Sequence, residues 1–78
     1  MPVDNKTRGT QYEETRINIT IKNGEKYTII GRETPDVEMN LISLQLSQRD
    51  YLILEDSMTK ESLLIMKDEI SSISVIRD

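Results

Sequence analysis

The chain has 78 residues, enough for one domain and too few for a second core. It contains no Cys, His, Trp or Phe and only three Tyr, so disulfides, thiolate or imidazole metal sites and the usual general base are excluded, and Ile, Leu, Val and Met must build the core. The net charge of −4, from 14 acidic and 10 basic residues with interleaved signs, argues against duplex DNA as a partner, because that affinity rests on neutralising phosphates.

No apolar run approaches the about 18 residues of a membrane span, and the opening MPVDNKTRGT lacks the apolar segment of a signal peptide, so a cytoplasmic protein is expected. Small chains without staples commonly gain burial by association, and a homo-oligomer is expected here.

Residues 1–14, MPVDNKTRGTQYEE, offer Met1, Val3 and Tyr12 as their apolar content. They are predicted to be a flexible polar arm ahead of one domain at 15–78. RINITIK alternates strictly, with Ile17, Ile19 and Ile21 on one face, and reads as a half-buried strand. Asn23-Gly24 then turns the chain into KYTIIGRE. For Tyr27 and Ile29 to share the face of Ile19 and Ile21, the loop must hold an odd number of residues, which places Gly24 at positive φ in a bulged turn.

After Pro35 a further strand is predicted, with Ile42, Leu44 and Leu46 facing one way. Val37, Leu41, Leu44 and Gln48 also fall on one face of a helix; that alternative ranks second because the segment is short and flanked by strands. YLILED and SLLIM form a hairpin about SMTKE, Lys67-Asp68-Glu69 makes a corner, and ISSISVI closes the chain. The spacing of Ile70, Ile73 and Val75 changes phase once, as at a bulge. Six short strands with tight turns predict an all-β fold, a small, strongly bent antiparallel barrel.

Two stretches carry a resemblance. ITIKNGEKYTI, Ile19 to Ile29, resembles the first hairpin of Sm, LSm and Hfq proteins. LLIMKDEISSI, Leu63 to Ile73, is similar to the second Sm motif, with apolar residues before a basic corner and two Ile three positions apart. Between them the resemblance has two registers: DVEMNL, Asp36 to Leu41, is like the signature ending the first Sm motif, while RDYLILEDS, Arg49 to Ser57, fits the same place by its junction with the second motif. The second register is preferred, because YLILEDSMTKESLLIM is then an unbroken hairpin and RETPDVEMNLISLQLSQ an extended, bent strand with an enlarged loop.

The resemblance implies a homo-oligomeric ring joined by strand pairing, with single-stranded RNA as ligand at its pore face. It places Tyr51 as a stacking residue, Lys67 as the basic corner and, in the other register, Asn40 as a reader of base edges; such a pocket suits any exposed base and its phosphate. Leu64, Met66, Ile73 and Val75 lie in the two strands expected to join subunits. The sequence departs from the family in having Asp50 before Tyr51 and Asp68 after Lys67. These departures support the alternative, a structural or interaction ring with a protein partner and no RNA. The carboxylates show no paired spacing and there are no Ser-His or Cys-His pairs, so neither an enzyme nor a cofactor is expected.

Overall fold

The computed structural model describes residues 14–77, and the expected N-terminal arm lies outside them except for Glu14. Five strands, one α-helix and one 3-10 turn follow in chain order: β1 (Thr15–Ile21), β2 (Lys26–Gly31), α1 (Pro35–Gln48), β3 (Tyr51–Glu55), β4 (Ser62–Met66), the turn Lys67–Glu69 and β5 (Ile70–Arg77). The strands form two antiparallel sheets, one of order β2-β1-β5 and one the β3-β4 hairpin. The domain is mostly β and its sheets do not close into a barrel.

The first hairpin follows its alternation. Ile19 lies opposite Tyr27 and Ile17 opposite Ile29, so their side chains share the inner face. The loop between Ile21 and Glu25 holds three residues and is closed by Ile21 N–H to Glu25 O (3.0 Å) and Gly24 N–H to Ile21 O (2.9 Å). Gly24 has φ +96°, a left-handed conformation that costs glycine little. β5 pairs with the other edge of β1, with Ile19 opposite Ile73 and Ile21 opposite Ile70. One register shift separates these pairs, which places the phase change of the last strand at a bulge.

The predicted third strand is instead α1. Thr34 and Pro35 start the helix: Pro35 has no N–H to leave unpaired in the first turn, and Asp36 and Glu38 face the positive end of the backbone dipole. Straight-chain Met, Leu and Gln residues favour the helix once it has begun. The apparent two-residue alternation of Ile42, Leu44 and Leu46 belongs to two helix faces. Ile42 is buried and Leu46 half-buried, while Leu44 is 53% exposed. At the far end Arg49 turns extended (φ −155°) and donates its N–H to Gln45 O.

Two contacts explain why the sheets stay separate. Where a bent second strand would have paired with β3, the Gln45 side chain does so alone: Nε2 donates to Ile53 O and Oε1 accepts from Ile53 N–H, both at 3.0 Å. The preceding loop is fixed by Glu38, whose carboxylate accepts from Glu33 N–H (2.9 Å) and lies against Gly31, where a Cβ would come within 2.7 Å of Oε2. At the end of β2 the sheets do meet. Ser57 N–H donates to Ile30 O (2.8 Å) and Ile30 N–H to Asp56 Oδ2 (3.1 Å). The core between the sheets and α1 consists of Ile17, Ile19, Ile29, Ile42, Leu52, Leu54 and Ile65.

Candidate functional site

The β3-β4 hairpin and the corner after it bring together the residues of the preferred register. Tyr51 lies opposite Met66, and Lys67 N–H donates to Asp50 O (2.7 Å), so the two ends of the hairpin are held side by side. A surface cleft is lined there, among the described residues, by Asp50, Met66, Lys67 and Asp68. Asn40 is elsewhere, exposed in the middle of α1. It stands nine residues before Arg49, roughly 13 Å along the helix axis, so the structure separates it from the cleft.

The chemistry of this cleft is balanced against phosphate. Its one cation, Lys67, directs Nζ to Leu46 O (3.2 Å), one of the last carbonyls of α1, which have no partner within the helix. Lys67 thereby acts as a C-terminal cap for a helix with no basic residue in its last turn. Asp50 and Asp68 flank it with two negative charges. The Tyr51 ring is covered as well: the Arg49 guanidinium carbon stands 4.9 Å from its centroid, while Arg49 also donates to Gln45 Oε1 (3.0 Å). A base stacking on that face of Tyr51 has to displace Arg49.

The residues expected at a subunit joint divide into two kinds. Leu64 and Met66 on β4 are 59% and 46% exposed, whereas Ile73 and Val75 on β5 are half-buried and pack on the core. The pairing pattern fixes which backbone groups point outward. β4 bonds to β3 through alternate residues, beginning at the Asp56-Glu61 and Asp50-Lys67 pairs, which leaves the N–H and C=O of Ser62, Leu64 and Met66 on the free edge. On β5 the same alternation turns Ile73 and Val75 outward and Ser74 toward β1. Among the described residues no strand covers either edge.

A second polar centre is Asp56. Its Oδ1 accepts from Met58 N–H (2.8 Å) and Thr59 N–H (2.9 Å), and its Oδ2 from Ile30 N–H. The bonds from Thr59 and Ile30 hold its pKa below the ordinary carboxylate value. Tyr27, by contrast, has its pKa raised by the hydrogen bond from its hydroxyl to Glu25 and by that carboxylate's charge. Both groups complete turns. Among the described residues no group of three or more acidic side chains is placed to hold a metal ion, and no helix is long and apolar enough to cross a membrane.

Sequence reasoning missed Gln45 and Arg49. Their signal is a four-residue spacing that has meaning only on a helix, and for this segment the sequence ranks the helix second. It also missed Asp56, which heads an Asp-Ser-Met-Thr turn, a position where a carboxylate can accept the next free backbone N–H groups. Compared with models of known protein families, with curated proteins and with solved structures, the chain has no match.

Proposed function

We propose that this chain is a non-catalytic interaction module of Sm-like build, a homo-oligomeric ring whose copies join through the edges of β4 and β5 and whose surfaces serve a protein partner. The observation that carries this reading is the β4 edge. It is a strand without Pro or charge, with outward backbone groups at Ser62, Leu64 and Met66 and apolar side chains exposed beside them. Such an edge needs a partner or a guard. The outward groups of Ile73 and Val75 supply a complementary edge at the other limit of the fold, and closed cyclic pairing uses both where an open arrangement would grow into fibres.

Single-stranded RNA at the pore face is the second reading, supported by the meeting of Tyr51 with Met66 and Lys67. Lys67 as a helix cap, Asp50 and Asp68 beside it and Arg49 over Tyr51 weigh against it.

Light scattering coupled to size exclusion tests the ring. The wild type should run as one species well above 9 kDa. Leu64→Lys, a charge on an exposed edge, should dissociate it without loss of β-structure. A 9 kDa wild type at micromolar concentration refutes the joint. Fluorescence anisotropy with a short uridine-rich RNA tests the second reading. Binding that weakens with salt and disappears in Tyr51→Ala/Lys67→Ala would establish it in place of the protein-partner reading.

A further inference from the structure

The geometry points to a second interface: the stripe Val37, Leu41 and Leu44 on α1 is where a second copy of this chain packs, helix against antiparallel helix. α1 has two apolar faces. One, through Ile42 and Leu46, is spent on the core. The other is spaced four and three residues apart, continues to Gln48, and stands open, with Val37 40%, Leu41 46% and Leu44 53% exposed. That is the spacing of a helix-helix seam, and a helix apolar on two sides is one that is buried on two sides.

The charge arrangement selects the occupant. The start of α1 is acidic, with Asp36 in the first turn and Glu33 just before it, and the end carries Arg49. Between them the helix has no basic residue, and its one further carboxylate, Glu38, is buried on the core side. An antiparallel copy brings the acidic start of each helix to Arg49 of the other and opposes the backbone dipoles favourably. With the two-fold axis between Leu41 and Leu44, Leu41 meets Leu44 of the second copy and Val37 meets its Gln48. The residues flanking the seam, Asn40, Gln45 and Ser47, bring no like charges together. A wholly acidic or wholly basic partner helix would complement one end and oppose the other. This interface uses a different part of the surface from the β4 and β5 edges, so together the two would stack rings in pairs.

The absence of native Cys makes the test direct. Leu41→Cys and Leu44→Cys proteins, mixed at high micromolar concentration under mild oxidant, should form the mixed disulfide several-fold faster than Ser43→Cys protein forms its own, since Ser43 is exposed on another side of α1. Leu44→Asp should halve the mass seen by light scattering, also in the Leu64→Lys background where the strand joint is removed. The strand joint and the helix seam therefore fail separately. Cross-linking no faster than at Ser43, or a mass that Leu44→Asp leaves unchanged, overturns the proposal, including the case in which a different protein covers the stripe.

Discussion

The sheet β2-β1-β5 and the unit formed by α1, β3 and β4 are built from the same residue types, yet they respond differently to the same alternation of apolar residues. In β1 the alternation of Ile17, Ile19 and Ile21 is the strand's inner face. In α1 the alternation of Ile42, Leu44 and Leu46 divides between a buried and an exposed side. The difference lies in the neighbours. β-branched Ile and Thr fill β1, and Asn-Gly returns the chain at once to pair with itself. α1 has a Thr-Pro-Asp start, Met, Leu and Gln in its body and no nearby strand in register with it. Period alone does not fix the state of a short apolar run; its first turn does.

If the two regions share one cooperative core, truncating either should cost the same. Ile19→Ala in the sheet and Leu52→Ala in the hairpin remove side chains that are both 0% exposed, and each should destabilise by about 2–5 kcal/mol in urea unfolding followed by circular dichroism. A Leu52→Ala protein whose sheet melts as in the wild type would mean that the hairpin unfolds by itself.

The tie between the regions is the next largest effect. Asp56→Asn keeps a side-chain oxygen able to accept from Met58 and Thr59, and turns an amide toward Ile30 N–H, where two donors then face each other. The variant should be less stable than the wild type at neutral pH. The folded-state pKa of Asp56 lies below its unfolded value, so the unfolded chain binds the proton more tightly. The carboxylate's contribution is therefore full above pH about 4 and is lost as pH falls through the folded pKa. Urea midpoints of the two proteins should converge on acidification; a constant difference would mean that the carboxylate charge plays no part.

Within the sheet, Gly24→Val isolates one turn. A Cβ on Gly24 would have open space around it, so the cost is backbone strain at φ +96° alone, roughly 1 kcal/mol or more by melting temperature. An unchanged melting temperature would show that the three-residue loop can rearrange.

What could be read from the sequence follows the same division. The β1-β2 register, the odd loop, the bulge of β5 and the β3-β4 hairpin were legible because each rests on local alternation or a turn residue. Tyr51 and Lys67 fall near one another because the hairpin register alone decides it. Asn40 was misplaced relative to them, since its position depends on whether residues 35–48 are strand or helix. The capping of Leu46 O by Lys67 and the cover of Tyr51 by Arg49 need α1 docked against β3, a tertiary arrangement with no counterpart in any local window.

The smallest effect tests the idea that α1 takes the place of a strand beside β3. Gln45 is suited to this because one amide supplies both a donor and an acceptor, as a paired strand residue does, and it engages both groups of Ile53. Gln45→Glu at neutral pH keeps the acceptor for Ile53 N–H and for Arg49 and replaces the donor by a charged oxygen facing Ile53 O. One exposed hydrogen bond is lost and two oxygens repel each other in its place, a cost of about 0.5–1.5 kcal/mol. Below pH about 4 the introduced carboxyl is protonated and can donate again, so the variant should recover relative to the wild type as pH falls. The gap closes on acidification as it does for Asp56→Asn, but from the other side: there the wild type loses an advantage, whereas here the variant regains a donor. Gln45→Ala should show no such recovery. If Gln45→Glu and Gln45→Ala differ from the wild type by the same amount at every pH, α1 is held to the hairpin by the burial of Ile42 alone and the side-chain pairing with Ile53 contributes nothing measurable.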